Sequence, residues 1–349
     1  MKENIFQYKK DNIGIIEKIF SESTKVSYST LINIALYDND YGYYKKNKRA
    51  LHRDFITSPL THESFGFLIA DQIKEIWEYF NKTDNFTIIE LGGSYGKLRS
   101  DITTRIKSAY PILFDSLNYI IIDEVNDDDL LSMKQINSVG CIISNEFFDS
   151  LPFNRYEKVN NDINEILIEK NNDLSIQEVI DTSSKKLALS KKSLKQIPSG
   201  SRIELIDNLG TISEKIASLL EECVLLTIDY GFESLDSLYI NNPNGLVRCY
   251  KNHNMDKEIL NDIGSKDITC DVNFPVLNMH LNNAGFKLIG NTTQDKFLYR
   301  MNIRKIFDTL KNPQDRQQII SLMNPESFGG FKVYFHQLNI KNYEPRGLA

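Results

Sequence analysis

The stretch of residues 87–98 constrains the fold of this chain most, because a strand, a glycine-rich turn and the start of a helix follow one another within it. Residues 87–91 have the continuous apolar pattern of a buried strand. Gly92, Gly93 and Gly96 then let the backbone approach a ligand closely. The helix that follows directs unpaired N–H groups and a partial positive charge at the same turn. The stretch therefore predicts a site for a small ligand with an anionic group.

The glycine spacing distinguishes between ligands. Dinucleotide-binding folds use G-x-G-x-x-G around a pyrophosphate, and Gly92, Gly93 and Gly96 do not fit that register, which disfavours NAD. Glu90 is placed to accept hydrogen bonds from an ammonium group, while the helix N-terminus suits a carboxylate. S-adenosylmethionine (SAM) carries both groups, and the turn resembles the E-x-G-x-G-x-G motif of class I SAM methyltransferases, with Ser94 at the middle glycine. A plain strand-to-helix connection is the alternative.

Composition narrows the class of protein. A chain of 349 residues is long enough for one elaborated α/β domain. Its net charge of -6 offers no basic surface for a nucleic-acid backbone, so we expect no nucleic-acid partner. The cysteines contain no C-x-x-C pair, which predicts neither a zinc site nor a disulfide framework, and we expect no metal.

The expected location is the cytosol. Widely spaced cysteines are typical of a reducing compartment, and no apolar run is long enough to cross a bilayer, so we expect no membrane partner. The first residues lack the apolar core of a signal peptide. The first arginine is Arg49, and acidic residues precede it, which disfavours an arginine-rich transit peptide and makes the mitochondrial matrix the weaker expectation.

Acidic residues follow several predicted strands. Residues 119–122 end at Asp123, at the spacing where nucleotide-binding α/β folds place an acid for ribose hydroxyls. Residues 141–144 lead through Ser144 into Asn145 and Glu146, and residues 224–228 end at Asp229. If the strands are parallel, these acids and Glu90 meet at one edge of the sheet. The sequence therefore predicts one ligand site at that edge.

The loop that begins at Asn145 is the candidate substrate site. Glu146 and Asp149 stand beside two phenylalanines, and paired carboxylates in apolar surroundings match the donor fork of a guanidinium group. The alternative is a purely structural role for this loop, in which Asp149 is a cap and the aromatic residues belong to the hydrophobic core. The acids at 127–129 indicate a solvated loop rather than a metal site.

Two further segments offer candidate site residues. Asp54, Thr57 and Ser58 precede a proline stop, and they are predicted either to contact a cofactor from a lid or to cap the next helix. His253 is a candidate base, with a hydrogen-bonded structural histidine as the alternative.

The remaining periodic patterns predict the scaffold. The predicted elements are helices at 13–20, 28–36, about 63–80, 212–220 and 274–284, a hairpin within 163–179, and strands at 287–290 and 295–299 that close the sheet. The predicted division is a helical N-terminal region with a cofactor lid (1–83), the first part of a SAM-binding domain (84–157), an insertion (158–201), the rest of that domain (202–300) with a substrate-side insertion (232–273), and a C-terminal extension (301–349).

Taken together, these segments resemble the MidA family of class I SAM-dependent methyltransferases. The resemblance covers nearly the whole chain, and the ordered set of short motifs is specific although each piece is weak. The motifs that carry it lie at 41–44, 54–59, 65–66, 90–98, 145–152, 229–231, 248–253, 267–274, 294–298 and 329–333. Arg53, Leu60 and Ser94 depart from the family pattern, which has glycine, glutamate and glycine at these positions.

The resemblance implies an α/β fold of the class I SAM-methyltransferase (Rossmann-like) type, with a mainly parallel sheet and helices on both faces. It also implies protein arginine methylation. On this analogy Glu90, Gly92, Gly96 and Asp123 hold SAM, the loop at 54–59 lies near it, and Glu146 belongs to the substrate-facing loop. The full set of predicted cofactor-binding residues is Glu90, Gly92, Gly93, Gly96, Asp123, Asp54, Thr57, Ser58 and Ser144. The full set of predicted catalytic residues is Glu146, Asp149, Asn145 and His253.

Three functional hypotheses follow. In the first, Glu146, with Asp149, holds a guanidinium group for in-line methyl transfer from SAM, and the partner is a protein or peptide that presents arginine. In the second, the same chemistry acts on another amine or amide, because Asn145 resembles the loop start of amino-group methyltransferases. In the third, Ser94 and Arg53 mark a catalytically impaired SAM-fold protein that serves as an assembly or interaction factor. A homodimer is a further expectation.

Overall fold

The protein, described from a computed structural model, forms two compact units, each assembled from separate stretches of the chain. The structure describes residues 13–46, 56–94, 96–125, 129–160, 162–172, 175–182, 197–234, 242–252 and 254–349. The first unit lies within residues 1–55, 150–207 and 232–271, and the second within residues 56–149, 208–231 and 272–349. The predicted division into consecutive segments remains a prediction.

The helices are short to medium in length. The longest in the described ranges has 16 residues, and none of them has the length and apolar character needed to cross a membrane. The α-helices are α1 (Ile13–Ile19), α2 (Tyr28–Tyr37), α3 (Tyr43–Lys46), α4 (Ser58–Thr61), α5 (Ser64–Tyr79), α6 (Lys97–Ala109), α7 (Pro111–Asp115), α8 (Leu209–Ala217), α9 (Phe274–Asn283), α10 (Gln294–Arg300), α11 (Ile303–Thr309) and α12 (Pro313–Met323).

The strands form sheets that differ in their number of strands. They are β1 (Lys25–Ser27), β2 (Phe86–Leu91), β3 (Leu117–Ile122), β4 (Ile136–Asn145), β5 (Asn154–Val159), β6 (Asp162–Lys170), β7 (Ile176–Asp181), β8 (Arg202–Leu205), β9 (Leu220–Asp229), β10 (Gly231–Phe232), β11 (Val247–Lys251), β12 (Asn254–Asp256), β13 (Asp267–Cys270), β14 (Val272–Asn273), β15 (Lys287–Thr293) and β16 (Lys332–Leu338).

The second unit is built on a six-stranded mixed sheet with the order β15-β16-β9-β4-β2-β3. The pairs β9–β4, β4–β2 and β2–β3 are parallel, whereas β16 is antiparallel to both of its neighbours. Leu91 is paired with Ile122 and with Ser144, and Asn145 is paired with Ile228. The carboxyl ends of the four parallel strands are therefore level, as the sequence predicted.

Helices cover both faces of this sheet. Successive side chains of each strand point to opposite faces, and both faces are buried. Val333 and Phe335 belong to the core formed with α5, α6, α10, α11 and α12. Tyr334, between them, faces the other way and stacks on Phe274 of α9 with ring centroids 4.4 Å apart. The predicted α/β architecture, with a mainly parallel sheet between helices, is confirmed.

One predicted strand is wrong. Residues 295–299 belong to α10, in which Gln294, Phe297 and Leu298 are fully buried. Residues spaced three and four positions apart lie on one face of a helix, and here that face is buried. The apolar run was too short for the sequence to show the helical period clearly. The strand that completes the sheet is β16, which comes from the predicted C-terminal extension.

The first unit has its own sheets and core. β6 pairs antiparallel with β5, β1 and β7, and β5 pairs with β8. A second sheet has the order β12-β11-β13. Helices α1 and α2 pack with apolar residues of both sheets in one core cluster. The buried Arg155 guanidinium donates to Glu204 Oε1 at 3.2 Å and to the Asn244 carbonyl at 3.0 Å, which satisfies its charge inside the unit.

Candidate active site

The glycine turn after β2 forms a tight cradle in the second unit. Gly92, Ser94 and Gly96 have φ angles of +72°, +45° and +69°, in the left-handed region that glycine adopts most readily. The Gly92 N–H donates to the Ile122 carbonyl at 2.7 Å. A Cβ atom at Gly93 would lie 2.7 Å from Ile121 Cγ2 and 3.1 Å from the Glu90 carboxyl carbon. The turn therefore has no room for a side chain at its centre.

Glu90 lies beneath this cradle as a nearly buried acid. Its Oε2 accepts a hydrogen bond from the Tyr119 hydroxyl at 2.7 Å. Burial raises the pKa of Glu90 to about 7, the hydrogen bond from Tyr119 opposes the rise, and the Asp123 charge adds to it. Arg99 lies over the Tyr119 ring at 5.5 Å. An ammonium group beside Glu90 would stabilise its ionised form.

Asp123 connects the end of β3 to the glycine turn. Its Oδ1 accepts the Ser94 N–H at 2.6 Å, which fixes the backbone of the residue that replaces the middle glycine. Asp129 in turn accepts the N–H groups of Asp123 and Glu124, both at 2.7 Å. The acid at 129 thus holds the loop backbone, while residues 127 and 128 lie outside the described residues.

Glu146 occupies an unusual position at the end of β4. Its φ of +49° lies in the left-handed region, which is costly for a residue with a side chain. The Glu146 N–H donates to the Ile228 carbonyl at 2.9 Å. Its Oε1 accepts the Ser58 N–H at 3.1 Å and the Asn145 Nδ2 at 3.2 Å. The strained backbone and these donors give the carboxylate a defined place.

Asp229 anchors the loop that carries Asp149. It is completely buried, and its carboxylate accepts the N–H groups of Phe148 at 3.1 Å, Asp149 at 3.4 Å and Tyr230 at 2.9 Å. Burial raises the pKa of Asp229 well above its usual range, and the charges of Asp149 and Glu146 raise it further. Asp229 was predicted only as a strand-end acid, and its anchoring role was missed.

Several buried oxygen atoms at this edge have no hydrogen-bond partner among the described residues. Asn145 Oδ1 is one of them, although its Nδ2 donates to Glu146. Ser144 Oγ and Thr227 Oγ1 are the others, on paired positions of β4 and β9. Buried polar atoms are normally satisfied, so unpaired acceptors at a strand end are suited to a bound ligand.

The remaining predicted site residues lie as follows. Ser58 Oγ donates to Gln294 Oε1 at 3.1 Å, and the Thr57 carbonyl accepts N–H groups from Leu60 and Thr61 at the start of α4. Neither hydroxyl caps a helix, since α4 has no side-chain cap at Thr57. Asp54 and His253 lie outside the described residues. The SAM contacts assigned to Asp54, Thr57 and Ser58 and the base assigned to His253 stay predictions.

The edge of the sheet suits a zwitterionic ligand such as SAM. Glu90 supplies a carboxylate for an ammonium group, and the turn beside it carries no side chain at Gly92, Gly93 or Gly96. Asp123 lies level with them after the neighbouring parallel strand. Ser144, on the neighbouring strand β4, adds a buried hydroxyl that has no hydrogen-bond partner in the described ranges. The residues present therefore fit the cofactor that the turn predicted.

Comparison with known proteins identifies the family. Residues 68–129 and 127–292 match a family described as "Putative S-adenosyl-L-methionine-dependent methyltransferase". The chain belongs to this family. It is a SAM-dependent methyltransferase of the MidA family, its cofactor is SAM, and the resemblance read from its motifs is confirmed.

Named relatives agree with this assignment. The zebrafish protein named "Protein arginine methyltransferase NDUFAF7, mitochondrial" is 26% identical over an alignment covering 90% of this chain and 83% of that protein. Its human counterpart is 23% identical, with 79% and 71% covered. A crystal structure of a COG1565 superfamily member from Burkholderia thailandensis, a likely methyl transferase bound to S-adenosyl-homocysteine, has a TM-score of 0.77 at 17% identity, and covers 99% of this chain and 97% of its own. That likeness shows the fold.

The expected cytosolic location is wrong. The relatives from zebrafish, frog, human and worm are all named as mitochondrial proteins. The lack of an arginine-rich N-terminal pattern was therefore an unsound basis for the location of this MidA-family methyltransferase.

Proposed function

We propose that this MidA-family enzyme transfers a methyl group from SAM to a guanidinium nitrogen of an arginine in a protein or peptide. The observation that carries the proposal is the pair of acceptors at the end of β4. The backbone of Glu146 is left-handed, and the neighbouring Asn145 has a buried Oδ1 with no hydrogen-bond partner within the described part of the chain. The names of the relatives, which are protein arginine methyltransferases, support the same substrate class.

The cofactor end of the site rests on the strand-end turn. When bound, SAM supplies an electrophilic methyl group on a sulfonium centre. We assign the ammonium group to Glu90 and the ribose hydroxyls to Asp123, with Gly92, Gly93 and Gly96 lining the approach and Ser144 offering a hydroxyl. The raised pKa of Glu90, about 7, supports this role, because burial without a positive partner disfavours the ionised form that an ammonium group would stabilise.

On the substrate side, two acceptors would hold two N–H groups of the guanidinium fork. A guanidinium keeps its proton far above neutral pH, so its nitrogen is a weak nucleophile until a carboxylate orients it. Glu146 would hold the reacting nitrogen and receive the proton that this nitrogen loses as the new N–C bond forms. Asp149 would add negative charge to the same loop. Fixed placement of the acceptors would supply much of the rate.

Another amine or amide is the first alternative substrate. Asn145 Oδ1, as a neutral acceptor, supports it, since a single N–H of an amide or amine needs no second carboxylate. The mass and fragmentation of the methylated product separate the two substrate classes.

The second alternative is a SAM-fold protein that has lost turnover and serves as an assembly or interaction factor. The left-handed φ of Ser94, +45°, supports it, because the family pattern has a glycine there. Calorimetry that detects no SAM binding would favour this alternative in its strongest form. Micromolar binding together with methyl transfer would exclude it.

The decisive experiment uses SAM with an isotopically labelled methyl group. The protein is incubated with it and a cell lysate, and modified peptides are mapped by mass spectrometry. We expect label on arginine, and we expect Glu146→Gln to lower the rate about 100-fold or more without loss of SAM binding. Glu78→Gln is the matched control, because the Glu78 carboxylate pairs with Lys74 and Lys82 at the surface. Full activity of Glu146→Gln would contradict the assignment.

A further inference from the structure

We propose that Gln294 is a positioning residue for the Glu146 carboxylate and acts on it through Ser58. This inference rests on the proposed role of Glu146 in methyl transfer. Gln294 is the first residue of α10, and Ser58 is the first residue of α4, so neither belongs to the strand-end loops. A continuous series of hydrogen bonds connects them to the site.

The series begins at the carboxylate and ends on the backbone of the C-terminal region. Glu146 Oε1 accepts the Ser58 N–H at 3.1 Å, and Ser58 Oγ donates to Gln294 Oε1 at 3.1 Å. Gln294 Nε2 donates to the Leu322 carbonyl at 3.2 Å. Its backbone N–H donates to the Phe331 carbonyl at 2.8 Å. Both Ser58 and Gln294 are completely buried, so water does not compete for these bonds.

Ser58 needs this support because α4 is too short to hold its own geometry. A helix of four residues lies far below the length at which helical hydrogen bonds are stable alone. The N-cap residue Thr57 makes no side-chain cap bond. The Ser58 side chain is therefore the anchor that fixes where its N–H points. A shift of this N–H would release one of the donors that hold Glu146.

Glu146 is sensitive to the loss of that donor. Its backbone has a φ of +49°, a conformation that persists only where surrounding contacts enforce it. Small misplacements of a reacting group lower rates steeply, so a weaker restraint at Ser58 would reduce turnover more than substrate binding. The Gln294 amide supplies both the acceptor for Ser58 Oγ and the donor for the Leu322 carbonyl, and a methionine at 294 supplies neither.

The test compares Gln294→Met with Gln72→Met. Gln72 is an equally buried glutamine of the same unit, and it bonds to Glu75, Tyr343 and Gly347 rather than to the site. The substrate is the unmethylated form of the peptide identified in the labelling experiment, and with it we expect Gln294→Met to lower kcat about 10-fold. KM and the Kd of SAM stay within about twofold. We expect Gln72→Met to keep its kcat although its thermal stability falls similarly.

A spectroscopic readout does not depend on the substrate. The Ser58 amide proton, bonded to a carboxylate, should resonate at low field in a ¹⁵N–¹H spectrum. We expect this signal to shift upfield in Gln294→Met and to stay unchanged in Gln72→Met. An unchanged Ser58 signal in Gln294→Met would overturn the proposal.

A double variant separates this inference from the proposed function. If Gln294 acts through Glu146, Glu146→Gln with Gln294→Met is no slower than Glu146→Gln alone. An additional 10-fold loss in the double variant would refute the positioning role. If Glu146→Gln is fully active, the proposed role of Glu146 is wrong, whereas the Ser58 signal still decides whether Gln294 fixes this side chain.

Discussion

The glycine turn after β2 and the loop after β4 end at the same sheet edge, but they obtain their shapes differently. The turn adopts left-handed angles mainly at glycines, and its restraints come from β2, β3 and the residues beside them. The loop has no glycine at its left-handed position, and the angle falls on Glu146 itself. Its restraints come from Ser58 and Asp229, which are distant in sequence.

This difference separates two ways of building a site. A turn made of small residues tolerates little added volume but depends on few remote contacts. A loop that holds a charged residue in a costly conformation depends on remote anchors and less on its own residue sizes. The cofactor side should therefore be sensitive to side-chain size, and the proposed substrate side to the loss of distant hydrogen bonds.

The largest expected effect tests size at the cofactor turn. In Gly93→Ala the new Cβ would lie 2.7 Å from Ile121 Cγ2 and 3.2 Å from Glu90 Oε1, so the turn must shift. We expect the Kd of SAM, measured by calorimetry, to rise about 100-fold, in line with overpacking of about 3 kcal/mol. Gly210→Ala is the control, since its Cβ would meet only the His280 ring, at 3.2 Å. Equal SAM affinity in the two variants would show that the glycine turn is not especially sensitive to side-chain size, and would remove its contrast with the loop after β4.

The second prediction tests the remote anchor of the loop. Asp229→Ala leaves the buried N–H groups of Phe148, Asp149 and Tyr230 without their acceptor. We expect a loss of about 3 kcal/mol in the free energy of unfolding, measured by urea denaturation, and a larger loss of turnover than of SAM binding. Asp71→Ala, at a partly exposed ion pair with Arg105, should cost about 1 kcal/mol or less. Similar losses in both variants would argue against the anchor.

The third prediction concerns pH. The pKa of Glu90 is raised in the folded protein to about 7, so its contribution to stability is complete below its ordinary value of 4.5 and is lost as pH rises through 7. Glu90→Gln removes this loss and should stabilise the free protein by up to about 3 kcal/mol at pH 8, with little change at pH 4. Urea denaturation at both pH values measures this change in the free energy of unfolding, and Glu214→Gln is the surface control.

Cofactor affinity should change with pH in the opposite direction. An ammonium group requires the ionised form of Glu90, so the Kd of SAM in the unmodified protein should rise as pH falls below about 7. Glu90→Gln should bind SAM weakly at every pH. Affinity that is independent of pH would show that Glu90 does not hold the ammonium group.

The smallest expected effect concerns Ser94. Its φ of +45° strains a residue with a side chain, so Ser94→Gly should stabilise the protein by about 1 kcal/mol and leave SAM affinity equal or higher. Ser116→Gly is the matched control, because Ser116 has a φ of -95° and should lose stability instead. A stabilised Ser94→Gly with much weaker SAM binding would mean that the serine is an adaptation of this turn.

The contrast also explains what could be predicted from sequence. Glu90, the three glycines and Asp123 lie in continuous strand-turn patterns, so short segments were enough to find them. Ser58 and Gln294 are separated by 236 positions, and a bond between them leaves no trace in either local pattern. Residues 295–299 were too few to distinguish period two from a helix. The φ of Glu146 was invisible because no glycine marks it.

The place of β16 has a consequence for the newly made chain. This last strand lies between β9 and β15, both of which leave the ribosome before it. Until residue 338 is available, two strand edges of the half-finished unit have unsatisfied backbone groups that invite pairing with other polypeptides. A polypeptide stopped before β16 should therefore aggregate or be degraded.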